Sequence, residues 1–447
     1  MTPLPGEPPA GLSAQARSLA QRIDTREAVV AVVGLGYVGL PLAVELAHAG
    51  YRVIGYDIDG AKVEQIQAGV SYLLDVPAER VARAVAGGRL QATSDPGTLG
   101  QADVAIICVP TPFTRNREPD TTFIERAARE IAATLHPGHL TILRSTSYPG
   151  TTEELVRPYL QASGFGIGQG VFLAFAPERM EPGNLRFPLR RVPVVVGGCE
   201  PAGTYLAGLL LAQVSETVHA VSTPAAAEMT KLLENVFRNV NIALVNQLAM
   251  LCERMGLDIW EIVEAAATKP YGFMSFSPGL VGGHCIPVDP YYLAWKAREY
   301  DFHMDFIELA ARVNEEMPYY VATRALMAIN ERKEHARPTR IFVVGITFKK
   351  DVPDFRHSAA LKVMEILLRQ HVEVAYHDPF VPEVQVNGRV FTSQPLTEDV
   401  VGAQDCVIIA TDHSSIPYQW LAGHARLVFD VRNALKHTPK GDNVITL

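Results

Sequence analysis

Three glycines at the head of the first helical pattern constrain the fold more than any other feature of the sequence. Gly34, Gly36 and Gly39 follow the apolar run 28–33, which is typical of a buried strand, and they open a helical pattern that ends at Gly50. In such a unit the first glycine permits a tight turn, the second lets backbone approach a pyrophosphate, and the third lets helix and strand pack closely. The pattern therefore predicts a dinucleotide site in a parallel α/β sheet.

An acidic residue supports this interpretation. Asp57 ends the second apolar run, about twenty residues after the glycines, where a carboxylate accepts hydrogen bonds from the ribose hydroxyls. Because the same carboxylate repels a 2′-phosphate, the sequence predicts NAD rather than NADP. A glycine-rich turn that binds nothing is the alternative, and the agreement of strand, helix and acid makes it the weaker one.

The alternation of apolar runs with helical patterns occurs twice. The runs of the first half are 28–33, 51–56, 103–109 and 140–145, and those of the second half are 341–344, 372–376, 405–410 and 426–429. Asp57 and Asp378 each end the second run of their half, and Asp103 and Asp405 each open a later one. The sequence therefore predicts an α/β fold with two Rossmann-like parallel-sheet domains.

A long helical pattern lies between these halves. Thr223 is the expected N-cap, Pro224 takes the first helical position, and Gly256 ends the helix. Apolar residues recur at three- and four-residue steps and predict one buried face: Met229, Leu232, Leu233, Val236, Val240, Leu244, Leu248 and Leu251. A helix of this length suits a dimer contact as well as a spacer.

The opposite side of this helix carries polar residues. Lys231 and Asn235 are four residues apart, and Asn239 continues the line. A solvated helix face has the same spacing, and the pattern alone favours it over a functional site. The charged loop 176–183, which contains Glu178, has a surface turn as its bland alternative.

Two other loops follow predicted strands of the first half. Loop 109–112 contains Pro110 and Thr111, and loop 145–147 contains Thr146. Both lie at the carboxyl ends of strands, where open parallel sheets bind ligands. Their hydroxyls can reach a nicotinamide ribose, but ordinary turn and capping chemistry explains them equally well.

One cysteine differs from the rest. Cys285 lies in the glycine- and proline-rich loop 278–290, beside His284 and four residues before Asp289. Backbone amides in such a loop can lower a thiol pKa and hold an oxyanion. From the pattern alone, an inert thiol and a catalytic nucleophile are equally good interpretations. The other cysteines have apolar contexts typical of small core residues: Cys108, Cys199, Cys252 and Cys406.

Basic residues gather in the second half. Lys349 and Lys350 occupy its first strand–helix turn, Arg356 follows shortly, and Arg432 comes just after a later strand. They suit a pyrophosphate, although ordinary surface charge explains any two of them. The second Rossmann unit is therefore expected to hold a different phosphorylated ligand.

Composition bounds the class of protein. The 447 residues are 48% hydrophobic and 20% charged with a net charge of -8, which fits a globular protein and excludes a general nucleic-acid coat. The apolar runs are too short to span a bilayer, so no membrane partner is expected. Residues 1–27 lack the apolar segment of a secretory signal and are expected to be a mobile extension. Five scattered cysteines favour a reducing, cytoplasmic setting and no metal site.

Together these segments resemble the UDP-glucose/GDP-mannose dehydrogenase family over nearly all of residues 28–437. The matching stretches, in matching order, are VVGLGYVGLPLA, VPTP, STSYPGTTEE, APERMEPG, KLLENVFRNVNIALVNQ, GGHCIPVDP and GITFKKDVPDFRHS. The resemblance implies an NAD-dependent, four-electron oxidation of a nucleotide-sugar C6 alcohol to a carboxylate, through a cysteine thiohemiacetal and thioester. It implies an NAD-binding domain at 28–215, a central helical dimerisation domain with the cysteine loop at 216–330, and a UDP-sugar-binding domain at 331–447.

The resemblance also implies roles for individual residues. Cys285 takes the place of the nucleophile, and Lys231 and Asp289 that of the acid/base pair. Asn235 matches an oxyanion-binding neighbour, while Glu178 and Thr146 match groups near the reacting carbon and its water. The implied substrate contacts are Glu178, Arg179, Lys231, Asn235, Lys269, Phe276, Gly279, Gly282, Phe348, Lys349 and Arg432, with Lys269 expected to reach a neighbouring subunit's site. The implied cofactor contacts are Gly34, Leu35, Gly36, Tyr37, Val38, Gly39, Asp57, Lys62, Pro110, Thr111, Thr146 and Arg356.

Two departures from the family's UDP-glucose branch bear on the sugar. His284 and Val288 stand where that branch carries Ser and Lys. His284, together with segments 148–152 and 266–270, resembles instead a bacterial branch that acts on UDP-N-acetylhexosamines. The expected substrate is UDP-N-acetyl-D-glucosamine for surface polysaccharide precursors, with UDP-N-acetylmannosamine and UDP-glucose as alternatives, and a homodimer or dimer-based oligomer is expected.

Two other functions fit parts of the pattern. A two-electron dehydrogenase of 3-hydroxy acids pairs a similar N-terminal domain with helical Lys and Asn, but it needs no cysteine and no second Rossmann unit. A sensor that binds NAD and a nucleotide sugar without turnover is opposed by the competent residue at every reactive position. Release of two NADH per substrate molecule supports the oxidation implied by the family resemblance, and release of one NADH supports the 3-hydroxy acid enzyme.

Overall fold

The computed structural model describes residues 8–73, 75–114, 117–181, 187–283, 286–332, 338–438 and 441–447. The chain divides into two compact units. Unit 1 comprises Met1–Glu234 and Trp295–Asp301, and unit 2 comprises Asn235–Ala294 and Phe302–Leu447. In the described ranges, no helix has both the length and the apolar character needed to cross a membrane.

The strands are β1 (Val29–Val33), β2 (Arg52–Tyr56), β3 (Leu90–Thr93), β4 (Val104–Ile107), β5 (Leu140–Leu143), β6 (Phe172–Phe175), β7 (Val194–Gly198), β8 (Val218–Ala220), β9 (Arg340–Val344), β10 (Glu373–His377), β11 (Glu383–Val386), β12 (Arg389–Thr392), β13 (Cys406–Ile409), β14 (Val428–Asp430) and β15 (Val444–Thr446). The helices are α1 (Ala14–Asp24), α2 (Gly39–His48), α3 (Gly60–Gln67), α4 (Ala78–Ala86), α5 (Thr122–Ala132), α6 (Arg157–Gln161), α7 (Pro201–Leu211), α8 (Pro224–Met255), α9 (Ile259–Ala267), α10 (Asp289–Ala297), α11 (Asp305–Arg332), α12 (Ala359–Arg369), α13 (Glu398–Gly402) and α14 (Tyr418–His424).

Unit 1 contains one sheet with the strand order β3-β2-β1-β4-β5-β6-β7-β8. Its pairs are parallel except for β6 with β7, which run antiparallel. Strand β1 lies inside the sheet and is rich in valine, and its residues contribute to apolar clusters on both faces. The prediction of a Rossmann-like parallel sheet is confirmed here, because helices cover both faces of such a sheet.

Unit 2 contains a second parallel sheet with the order β10-β9-β13-β14-β15. The prediction of a second Rossmann-like domain is therefore confirmed. The antiparallel hairpin of β11 and β12 was not expected from the sequence. Its turn residues Asn387 and Gly388 both have positive φ, at 50° and 76°, as tight hairpin turns require.

The prediction that residues 1–27 form a mobile extension is wrong for helix α1. Ser13 accepts a hydrogen bond from the Ala16 N–H as its N-cap, and Tyr51 donates to the Ile23 carbonyl over 2.7 Å. The buried side of the helix joins the core of unit 1 through Ala16, Leu19, Ala20 and Ile23. These four positions have helical spacing, which the high Pro, Gly, Ala and Arg content obscured. Residues 1–7 lie outside the described residues.

The bounds predicted for helix α8 are confirmed. Thr223 Oγ1 accepts a hydrogen bond from the Ala226 N–H over 3.1 Å, and Gly256 follows the last turn with a φ of 69°. The prediction of a buried apolar face is wrong, because Leu233 is 63% exposed and Leu251 is 50% exposed. Much of the apolar stripe faces outward, and the polar side is buried through Glu228, Lys231, Asn235, Asn239 and Asn246. Helical periodicity identifies two faces but not which one the protein covers.

Candidate active site

The glycine turn joins β1 to α2 in unit 1. Gly34 has a φ of 93°, and its N–H donates to the Tyr56 carbonyl over 2.8 Å. A Cβ on Gly39 would lie 1.8 Å from the Gly34 carbonyl oxygen, so only glycine fits there. A Cβ on Gly36 would meet no atom within 4 Å. The turn is therefore closely packed at Gly39 and open at Gly36, where a ligand can approach the backbone.

Asp57 lies beside this turn, directly after β2. Its Oδ2 accepts the Leu35 N–H over 2.7 Å, and its Oδ1 accepts the Asp59 N–H over 2.9 Å. The Lys62 ammonium is 3.6 Å from the same carboxylate. An acid fixed next to an open glycine turn fits the ribose and pyrophosphate of NAD.

The remaining predicted cofactor residues of unit 1 lie at the same edge of the sheet or in the turn itself. Pro110 and Thr111 follow β4, and Thr146 follows β5. Tyr37 is exposed and Val38 is the residue before α2. The carboxyl ends of neighbouring parallel strands meet at one edge, so these positions lie along the edge that ligands use.

A buried ion pair involves Arg144, the residue that follows β5. Arg144 Nη2 donates to Glu178 Oε2 over 2.7 Å, and Glu178 Oε1 accepts the N–H groups of Arg179 and Met180. Burial alone would raise the pKa of Glu178, but Arg144, the N–H of Met180 and the charge of Lys231 together hold it below its usual range. Glu178 is therefore an ionised, fixed carboxylate, and the surface-turn alternative for it is wrong. Pro182 and Gly183 of the same loop lie outside the described residues.

Sequence reasoning missed Arg144 and Glu228. Arg144 is the one charged residue in the predicted strand 140–145, and this was the available signal for a functional role. Glu228 is fully buried on α8, and its carboxylate accepts the Gly150 N–H together with the N–H and hydroxyl of Thr152. Burial raises the pKa of Glu228 to about 7. This contact ties the segment that follows Thr146 to the helix turn before Lys231.

Lys231 is 7% exposed, and Asn235 one turn later is fully buried. The solvated-face alternative for them is therefore wrong. Within unit 2, Asn235 Nδ2 donates to Asp289 Oδ2 at the start of α10, and Asn235 Oδ1 accepts from Arg238. Two of the predicted catalytic groups, Asn235 and Asp289, are thus in direct contact.

Four of the predicted substrate contacts also come together in unit 2. Gly279 has a φ of 137°, and a Cβ there would lie 3.4 Å from Arg432 Nη1. A Cβ on Gly282 would lie 3.0 Å from the Cβ of Phe348. These glycines therefore let the loop backbone approach Arg432 and Phe348 closely. Cys285 and His284, which follow in the same loop, lie outside the described residues.

Comparison with known proteins identifies this arrangement. The NAD binding domain of the UDP-glucose/GDP-mannose dehydrogenase family matches residues 28–215, its central domain matches 225–316, and its UDP binding domain matches 342–437. The chain belongs to the UDP-glucose/GDP-mannose dehydrogenase family. NAD is its cofactor, and its substrates are of the UDP-sugar class.

Relatives within the family act on different sugars. The UDP-N-acetyl-D-glucosamine 6-dehydrogenase of Pseudomonas aeruginosa is 36% identical over 387 residues, covering 86% of this chain and 90% of the relative. The UDP-N-acetyl-D-mannosamine dehydrogenase of Pyrococcus horikoshii is 36% identical over 419 residues, covering 92% and 97%. A solved structure of UDP-D-ManNAc dehydrogenase from Pyrococcus horikoshii superimposes with a TM-score of 0.85 at 34% identity, covering 94% of this chain and 98% of that one.

The other family contacts inferred from the sequence have neighbours within their own units. Lys269 is exposed, with its ammonium 5.3 Å from the centre of the Tyr271 ring. Phe276 packs edge-on against Phe237. Arg356 pairs with Asp354 over 2.7 Å. In unit 1, Arg179 pairs with Glu234, and in unit 2 Lys349 is half-buried in the turn after β9.

The described cysteines suit the core role predicted for them. Burial raises the pKa of Cys108, Cys199 and Cys406 to about 12, so these thiols stay protonated at neutral pH. Thiolates are the reactive form of cysteine. None of these three thiols is therefore expected to act as a nucleophile. Across the residues that the structure describes, no group of His, Cys, Asp and Glu is arranged to hold a metal ion.

Proposed function

We propose that this member of the family oxidises the C6 alcohol of a UDP-N-acetylhexosamine to the carboxylate, with UDP-N-acetyl-D-glucosamine as the preferred substrate. The reaction would supply precursors of a surface polysaccharide. The observation that carries this proposal is the inverted burial of α8. Burying Lys231 and Asn235 while leucines stay exposed costs free energy, and groups buried at such cost are commonly functional.

In the proposed reaction, the hydroxyl proton of the sugar passes to Lys231 or to a water held by Asp289. NAD, when bound at the glycine turn and Asp57, would supply the hydride acceptor: one NAD is reduced when the alcohol becomes the aldehyde, and a second NAD is reduced when the thiohemiacetal is oxidised. The Cys285 thiolate adds to the aldehyde carbon, and the resulting thiohemiacetal oxyanion is stabilised by Asn235 and Lys231.

Hydride loss from the thiohemiacetal leaves a thioester. Water attacks the thioester carbon, releases the carboxylate and regenerates the thiolate. Glu178 stays ionised because of Arg144, so its proposed role is to hold and orient this water together with Thr146 rather than to donate a proton. The covalent intermediate keeps the reactive aldehyde from escaping.

The sugar assignment has separate support. The UDP part would bind the 331–447 domain, where Arg432 offers charge close to Gly279, Phe348 offers an aromatic ring close to Gly282, and Lys349 follows Phe348 in the chain. The acetamido group is supported by the two curated relatives, both named for UDP-N-acetylhexosamines. UDP-N-acetylmannosamine is the second candidate, because the relative named for that sugar is also 36% identical to this chain.

A panel of UDP-GlcNAc, UDP-ManNAc, UDP-GalNAc and UDP-Glc, followed by NADH release, tests the proposal. We expect two NADH per sugar and the highest kcat/KM with UDP-GlcNAc. Cys285→Ser should lose acid formation by at least ~10³-fold, while Cys199→Ser should retain it. One NADH per sugar, or full acid formation by Cys285→Ser, contradicts the mechanism. A preference for UDP-ManNAc contradicts only the choice of sugar.

A homodimer is the second part of the proposal. The outward side of α8 carries four leucines that are each at least 40% exposed, Leu233, Leu244, Leu248 and Leu251, and exposed apolar residues of this kind are commonly covered by a second copy. Leu248→Asp should therefore lower the sedimentation coefficient from the value of a dimer to that of a monomer. Val390→Asp, at an even more exposed apolar residue of the β11–β12 hairpin, should leave the sedimentation coefficient unchanged.

A further inference from the structure

Three buried asparagines in unit 2 form a continuous relay between helices α8 and α11. Asn246 Nδ2 donates to Asn314 Oδ1 over 2.9 Å, and Asn314 Nδ2 donates to Asn239 Oδ1 over 2.8 Å. All three side chains are buried, with Asn246 fully excluded from solvent. A buried amide without a hydrogen-bond partner is strongly destabilising, so the relay is stable only when every member is paired.

Both ends of the relay reach the backbone of one loop. At one end Asn246 Oδ1 accepts the Gly279 N–H over 2.7 Å. At the other end Asn239 Nδ2 donates to the Ile286 carbonyl over 3.0 Å. Gly279 and Ile286 stand on either side of the glycine-rich segment that precedes α10, and Ile286 is next to Cys285 in the chain.

The relay has a single direction because its ends are a backbone donor and a backbone acceptor. Each amide must present oxygen toward Gly279 and nitrogen toward Ile286, so Asp cannot replace Asn without losing a donor. Asn239 and Asn246 are seven residues apart on α8, which is about 10 Å along a helix. The two ends of the loop are thus fastened to α8 two turns apart.

We propose that Asn239, Asn314 and Asn246 are positioning residues that fix both ends of the cysteine loop against helix α8. This inference rests on the proposed function, because the loop matters for catalysis only if Cys285 is the nucleophile. Asn235, one turn before Asn239, donates through its side-chain amide to the Asp289 carboxylate, so one face of α8 holds both the loop and the first residue of α10.

The test uses Asn314→Asp, which keeps the acceptor of the central amide and removes its donor. Hydrogen–deuterium exchange at the backbone of residues 279–283 should become at least tenfold faster. The kcat should fall at least tenfold, with the KM for NAD within twofold of the wild type. Asn246→Asp, which keeps the bond to Gly279 and loses the donor to Asn314, is the second variant in case the first does not fold. Asn330→Asp, exposed on the same helix α11, is the matched control and should change neither quantity.

Unchanged exchange in both variants would overturn the relay, and faster exchange with an unchanged kcat would overturn its positioning role. A wild type that oxidises no UDP-sugar would overturn the proposed function alone, because the exchange measurement needs no substrate.

Discussion

The turn after β1 in unit 1 and the turn after β9 in unit 2 have the same backbone conformation. Gly34 and Gly345 each follow the last residue of their strand, with φ values of 93° and 79°. Their N–H groups each donate over 2.8 Å to the neighbouring strand, at Tyr56 and His377. The repeat predicted from sequence extends to this detail.

The acids that hold these turns are also equivalent. Asp57 accepts the Leu35 N–H and Asp378 accepts the Ile346 N–H, both over 2.7 Å. Burial alone would raise the pKa of Asp378, but hydrogen bonds from His413 and from backbone N–H groups hold it below its usual range. The same carboxylate position therefore braces the turn in both units.

The surroundings of the two acids differ. In unit 2, fully buried His413 lies 3.1 Å from Asp378 and also bonds Thr347, which occupies the position of Gly36. In unit 1 the corresponding space at Gly36 is open, and Lys62 is the cation near Asp57. In this protein, the turn that fits a dinucleotide is therefore the one in which a glycine leaves open space beside the aspartate that holds the turn. The fold alone does not assign the ligand.

The largest effect that separates the two turns is expected from Gly39→Ala. The new Cβ would overlap the Gly34 carbonyl, so unit 1 should lose at least ~3 kcal/mol of stability and NAD binding with it. Lys350→Ala, at the same position of the second turn, removes an exposed side chain and should change stability by less than ~0.5 kcal/mol. Thermal unfolding and NAD titration measure both. Equal stability of the two variants would contradict the conclusion that the first turn is closely packed at Gly39 and the second is open at Lys350.

The acids themselves should respond differently to removal. Asp378→Ala leaves the Ile346 N–H and His413 without their acceptor and should cost ~2–4 kcal/mol of unfolding free energy with NAD affinity unchanged. Asp57→Ala should lower NAD affinity by about tenfold to a hundredfold, and NADP affinity by less. Denaturant unfolding and calorimetric titration separate these effects. If Asp57→Ala binds NAD normally, the assigned ribose contact is wrong.

The smallest expected effect is a difference in pH dependence. Burial raises the pKa of Glu200 in unit 1 to about 7, whereas that of Asp378 in unit 2 is lowered. A carboxyl group with a raised pKa stabilises the folded protein below its ordinary pKa of 4.5, and this stabilisation is lost as the pH rises to 7. A carboxyl group with a lowered pKa stabilises the folded protein above its ordinary pKa of 3.8, and this stabilisation is lost as the pH falls below 3.8. Glu200→Gln should therefore gain ~2 kcal/mol over the wild type between pH 5 and pH 8, measured by unfolding. A constant difference across that range would show that Glu200 does not titrate there.

Much of the architecture follows from local sequence. The glycine turn and the bounds of α8 depend on short-range rules for turns and caps, which neighbouring residues satisfy by themselves. The positions of Asp57 and Asp378 follow from the repeated order of strands and helices. The roles expected of Lys231, Asn235 and Asp289 came from motif resemblance, and for Lys231 and Asn235 the spacing alone favoured a solvated face.

Other features required the tertiary structure. Sequence periodicity gave the two faces of α8, but only packing decided that the polar face is buried. The Arg144–Glu178 ion pair and the relay through Asn314 join residues that are far apart in the chain, and α1 is held by core residues that its composition does not reveal. A short sequence window encodes a turn or a cap because its partners are neighbours, whereas the burial of a charge depends on partners that folding brings from elsewhere.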